Sequence, residues 1–119
     1  MPPATRRRAA RPTSSSTSFW HFYLREHACP LTRALHVAGT VGALTIATLA
    51  NIRGWGWAGA GAALACGYGP AWASHFLVEK NRPASFRRPL ASFAADMRMA
   101  ALTLAGRLGP HLEAAGVTT

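Results

Sequence analysis

Residues 34–52, ALHVAGTVGALTIATLANI, and residues 54–78, GWGWAGAGAALACGYGPAWASHFLV, decide the fold, because neither contains a charged side chain. A helix needs about 20 predominantly apolar residues to cross a bilayer core, and each run is of that length. Only Arg53 separates them. Two such runs in a 119-residue chain are hard to place in a water-soluble fold, and the length leaves room for one domain. The pattern predicts an all-α protein, a small integral membrane helical bundle built on a transmembrane hairpin. Its first helix is expected over residues 32–52 and its second over 56–80. Asn51 and Gly54 are expected to form the turn, with Trp55 and Trp57 at the far interface.

Working outward, the charges flank these runs. Arg6, Arg7, Arg8, Arg11, Arg25 and Arg33 precede the first; Lys80, Arg82, Arg87 and Arg88 follow the second. Thirteen Lys and Arg against four Asp and Glu give a formal charge of +9. Nucleic-acid binders instead line a helix or patch with basic side chains and interleaved aromatics, so no nucleic-acid partner is expected. Flanking charge is the positive-inside pattern of a hairpin with both outer ends cytoplasmic. Cys29 and Cys66 match no disulfide scaffold or paired metal motif and read as free thiols.

Residues 1–17 are rich in Arg, Ser and Pro without an acidic residue and read as a disordered basic tail. The membrane-embedded helical domain is expected over 18–110. Ser18 is placed to cap a short aromatic helix running towards His27, interrupted by Pro30. A third segment over 90–107, apolar apart from Asp96 and Arg98, reads as an interfacial or re-entrant helix. Gly109 and Pro110 are expected to end it, leaving 111–119 as a dispensable C-terminal tail. Gly59, Ala63, Gly67 and Ala71 form a small-residue seam on the second helix, matched by Ala38, Gly39 and Gly42 on the first.

The hairpin carries the chemistry to one depth. From His36 to the turn the chain descends ~24 Å, and from the turn back to His75 it returns ~30 Å, at 1.5 Å per residue. His27 lies just before the first helix on the same basic side, and Glu79 stacks one turn beyond His75. Three imidazoles and a carboxylate at one depth suit a metal, whether Fe(II), Zn(II) or Mn(II). Asp96 is a further ligand or a hydrogen-bond acceptor for a ligand's ring N–H. His21 and His111 are left outside this set. Any one of these histidines alone is better explained as structural, and no compact histidine box is present.

Several stretches resemble one membrane family: Phe19-Trp20-His21-Phe22-Tyr23-Leu24-Arg25-Glu26-His27, Leu35-His36-Val37-Ala38-Gly39-Thr40, Gly67-Tyr68-Gly69, Ala71-Trp72, His75-Phe76, Glu79 and Asn81-Arg82-Pro83-Ala84. Phe86, Pro89-Leu90, Asp96, Met99 and Gly106-Arg107-Leu108 continue the match to about residue 110. Together they are similar to the family of the yeast endoplasmic-reticulum 2-hydroxy-fatty-acid dioxygenase, which has many bacterial members. The resemblance implies an integral membrane enzyme of lipid α-oxidation, in the inner membrane of a bacterial cell. Its cofactor would be Fe(2+) and its substrates O2 and a 2-hydroxy fatty acid, which leaves one carbon shorter. It assigns His27, His36, His75 and Glu79 to the iron and Asp96 to a supporting role. Arg82, Arg87 or Arg33 would hold the substrate carboxylate at the membrane surface, with the acyl tail between helices. Two other classes fit the residues: a non-catalytic membrane scaffold using the seam and basic flanks, and a zinc-dependent membrane hydrolase using the same ligands.

Overall fold

A computed structural model of the chain describes residues 16–117, and over these it is all-helical. The elements are α1 (Ser16–Glu26), α2 (Pro30–Arg53), α3 (Gly56–Ser74), α4 (Pro89–Leu104) and α5 (Gly109–Ala115). A π-helical turn, His75–Glu79, prolongs α3, and a 3-10 turn, Ala84–Phe86, precedes α4. The expected basic tail lies outside the described residues except for Ser16 and Thr17, which open α1. The helix therefore starts two residues ahead of Ser18.

Pro30 sits in the first turn of α2, where its missing N–H costs nothing. The helix ends at Gly54, whose left-handed backbone (φ 67°) lets its N–H bond the Ala50 carbonyl. Asn51, expected in the turn, belongs to the last turn of α2. Gly54 and Gly56 make the reversal, both at positive φ. α3 then returns along α2 over the predicted seam.

The seam works by backbone approach. A Cβ on Gly39 would stand 2.9 Å from the Cys66 carbonyl oxygen and 3.1 Å from that of Gly67. Gly67 in turn packs on Ala43, and Gly59 on Ala50. Ala38, expected on the same surface, is exposed and points elsewhere. We expect Gly39→Val to force α2 and α3 apart at a cost of about 1–3 kcal/mol. Because Gly39 lies one turn from His36, thermal melts should show lower stability and metal titration a weaker site.

Among the described residues only α2 is long and apolar enough by itself to cross a membrane. α3 falls short because its glycines, together with Tyr68, Pro70 and its tryptophans, dilute its apolar content. Of the two membrane-spanning helices expected, the first is met by α2; α3 forms the returning arm of the hairpin but is not by itself apolar enough to span.

The larger apolar core lies at the basic end. α1 buries Phe19, Trp20, Tyr23 and Leu24 against Ala95 and Met99 of α4. Leu108, Leu112, Ala115 and Val117 close the same cluster. The segment read as a tail after residue 110 is a helix docked on α1, and Gly109 and Pro110 begin it instead of ending α4. Trp20 also donates its indole N–H to His111 Nδ1 at 3.0 Å. These contacts hold α1 where it can deliver His27.

Candidate metal centre

His27 leaves α1 just beyond its last helical residue, with its N–H on the Leu24 carbonyl. The two carbonyls at this frayed end, of His27 and Ala28, are satisfied by Arg33 Nη1 at 2.9 and 2.8 Å. Arg33 is buried by this task. It is thereby removed from the substrate-holding role considered for it.

His36 comes from the second turn of α2 and His75 from the start of the π-turn. All three rings are buried, and their ligand nitrogens lie within 4.8 Å of one another. Each ring has its Nδ1 committed to an oxygen. His27 Nδ1 bonds the Tyr23 carbonyl at 2.6 Å, and His36 Nδ1 bonds the Thr32 carbonyl at 2.8 Å. Ser74 Oγ, which donates to the Ala71 carbonyl, gives the His36 Nδ1 a second acceptor at 3.3 Å.

His75 Nδ1 bonds Asn81 Oδ1 at 2.6 Å. The amide orientation is fixed because Asn81 Nδ2 donates to the Glu26 carbonyl and carboxylate. The π-turn makes this grip possible. Its left-handed cap at Lys80 (φ 56°) folds the chain back so that Asn81 N–H also bonds the His75 carbonyl at 3.0 Å. Insertions of this kind are frequent at functional sites.

A neutral imidazole has one N–H, and in all three rings an oxygen acceptor holds it on Nδ1. The Nε2 atoms are then bare lone pairs, and they face each other. His27 Nε2 stands 2.9 Å from His36 Nε2 and 3.0 Å from His75 Nε2. A shared proton is a poor remedy, since burial, the two neighbouring imidazoles and Arg33 push the His27 pKa well below its usual value. A cation suits the arrangement. Two nitrogens bound at ~2.1 Å to one ion at a right angle lie about 3.0 Å apart. The free space beside the rings is about 10 Å³, enough for roughly one water or ion.

Tyr23 stacks on His27 with ring centroids 4.0 Å apart and donates its hydroxyl to Asp96. Asp96 and Ser92, one turn apart on α4, share the wall of the histidine cavity with Tyr68 and Trp72. Burial pushes the Asp96 carboxyl up to about 6. Burial, then the Asp96 charge, raises the Tyr23 phenol well above its usual value. Ser92 Oγ is buried without a hydrogen-bond partner.

Three expected residues stand apart. Asp96 lies outside the group of clustered ligand atoms and accepts from Tyr23 in place of a ring N–H. Glu79 Oε1 accepts the Cys29 N–H at 2.7 Å, where the free amides opening α2 attract an anion, and it is outside the group of clustered ligand atoms. Arg82 is exposed and lines a neighbouring groove of about 620 Å³ with Phe19, Glu26, Arg87 and Arg88. Both cysteines are free thiols. Asn81, Ser92 and Tyr23 were given no role by residue spacing. We expect Asn81→Leu to release the His75 ring and weaken metal affinity by about 10–100-fold, read by competitive metal titration.

Fold and site define a helical-hairpin protein with a buried three-histidine centre able to hold a metal ion. The chain belongs to the Mpo1-like family: the family model described as 2-hydroxy-palmitic acid dioxygenase Mpo1-like matches residues 13–108. Comparison with curated proteins and with solved structures returned no match.

Proposed function

We propose that the protein is a membrane-embedded, Fe(II)-dependent dioxygenase that shortens a 2-hydroxy fatty acid by one carbon. The observation that carries the reading is the trio of Nε2 lone pairs facing one another, together with the family's 2-hydroxy-palmitic acid dioxygenase description. In the reaction the C1–C2 bond breaks, C1 leaves as CO2, and C2 becomes the new carboxyl group. One O2 is consumed, and its remaining oxygen leaves as water with the two hydrogens released from C2 and its hydroxyl.

His27, His36 and His75 hold the iron, and their fixed Nδ1 contacts keep the rings aimed. Bound ferrous iron supplies the one-electron chemistry that allows triplet O2 to react with a closed-shell acid. Three protein ligands leave positions open, as catalytic sites require and closed structural sites do not. Asp96, with its carboxyl near neutrality, takes the proton of the 2-hydroxyl and returns it, while the Tyr23 hydroxyl steadies the carboxylate form. Ser92 offers the substrate's polar head a hydrogen bond. Arg82, Arg87 and Arg88 draw the anionic acid to the mouth, and Glu79 anchors the start of α2 beside His75.

The membrane setting rests on α2 and on the outer faces of the hairpin, where Leu49, Ile52, Trp57 and Leu77 are all exposed. Such a surface belongs in lipid. The positive charge flanking the hairpin supports a cytoplasmic histidine end.

The test is oxygen uptake by iron-loaded protein in detergent on 2-hydroxypalmitate, with pentadecanoate and CO2 measured together. Turnover no greater than that of metal-free protein sinks the reading. Stoichiometric zinc with no oxygen uptake favours the hydrolase. Ser92→Ala should raise KM by about 5–10-fold, the loss of one ordinary hydrogen bond, with kcat changed less.

A further inference from the structure

The geometry points to a track for the substrate's acyl tail between α2, α3 and α4, whose usable length is set by Ala47 and Ala60. This rests on the function proposed above and adds where the tail lies and what limits it.

A groove of about 450 Å³ opens beside the histidine cavity, walled by Ala43, Leu44, Ala63, Leu64, Gly67 and Phe93. Tyr68 and Asp96 line both spaces, so the groove begins where the polar site ends. Asp96 is its only charged wall residue. At the other end, a second space of about 440 Å³ continues past Asn51 to the hairpin turn, and the two share Ala47 and Ala60. The path therefore has one polar end, an apolar length and a neck between two alanines.

Its dimensions select the occupant. From the level of His36 to that of Ala47 α2 advances about 16 Å at 1.5 Å per residue. That is the depth of about one leaflet of a ~30 Å bilayer core, hence the reach of a long lipid chain. Asn51, four residues on, brings a polar amide to the far end. A polar head at the histidines with one unbranched apolar tail matches this sequence of surfaces.

Ala47 and Ala60 are exposed, so a phenylalanine at either narrows the neck without entering a packed core. Ala62, exposed and outside the groove, is the control. The measurement is kcat/KM over saturated 2-hydroxy acids from octanoic to eicosanoic. In the wild type each methylene entering the groove should raise it about fourfold. In Ala47→Phe and Ala60→Phe the rise should stop at a shorter chain, while Ala62→Phe follows the wild type. Parallel profiles in all four proteins overturn the proposal, because a tail in bulk lipid would give the same increments everywhere.

A second readout needs no turnover. 2-Hydroxypalmitate carrying a photoreactive diazirine near its methyl end should label the Ala47–Ala60 neck region, and Ala60→Phe should abolish that label. Labelling spread evenly over the exposed faces of α2 and α3 overturns the track. If the wild type turns over none of the acids yet labels at the neck, the reaction assigned above fails and the track stands.

Discussion

His36→Ala is expected to abolish stoichiometric metal binding and lower oxygen uptake by roughly 10³-fold or more. A catalytic metal is worth several kcal/mol at the transition state, and each 1.36 kcal/mol is tenfold. The variant removes one of three converging nitrogens and leaves His27 and His75 as a two-coordinate remnant, 3.0 Å apart. It also removes one lone-pair clash from the metal-free protein. Metal-free His36→Ala should therefore melt close to metal-free wild type. The difference appears on loading. At a hundredfold excess over Kd a ligand that binds only the folded state adds about 2.7 kcal/mol, so wild type should show a metal-dependent, chelator-reversible rise in Tm. His36→Ala should show none. An equal rise in the variant would place the metal elsewhere and remove the main support for the proposed chemistry.

How much of this site the sequence carried depends on which coordinate is asked for. Helix rise put His27, His36 and His75 at one depth, because apolar run length and the turn at Gly54 fix depth along the hairpin axis. Pro30 likewise announced the break that frees His27 from α1. Rotation about the axis was less legible. Ala38 was expected beside Gly39 and Gly42 and is exposed. The rise argument did place Glu79 one turn beyond His75. It carried no information about the Cys29 amide, 50 residues away in the chain, that claims its carboxylate.

The supports of the histidines were not legible: Asp96, expected to ligate or to accept a ring N–H, accepts from the Tyr23 hydroxyl instead. Tyr23 and Thr32 act through backbone carbonyls, which every residue possesses, so no side-chain pattern marks them. Asn81 acts through its amide, yet it reaches His75 only because the chain turns left-handed at Lys80. That conformation is uncommon for a lysine and nothing local announces it. Ser92 and Asp96 were spaced by one turn on an apolar segment. A buried hydroxyl beside a buried carboxyl was the available signal, and only the carboxyl was used.

Removing α5 is expected to destabilise the protein severely and to weaken the metal centre with it. Seven residues with a Gly-Pro start looked too short to matter, but Leu112 is 3% exposed and packs into the cluster with Trp20, Tyr23 and Leu24. Burying such a leucine is worth enough that Leu112→Ala should cost about 2–5 kcal/mol, a large share of the 5–15 kcal/mol typical of a whole domain. A chain ending at Arg107 loses Leu108, Leu112, Ala115 and Val117 together and strips the Trp20 indole of its acceptor His111. The damage travels along α1. Tyr23 stacks on His27 and supplies the carbonyl that orients its ring, so a loosened α1 misplaces one metal ligand. Leu112→Ala should thus lower both Tm and metal affinity, whereas Glu113→Ala, on the exposed side of the same helix, should change neither. A truncated protein that melts and binds metal like the full chain would return α5 to the status of a tail.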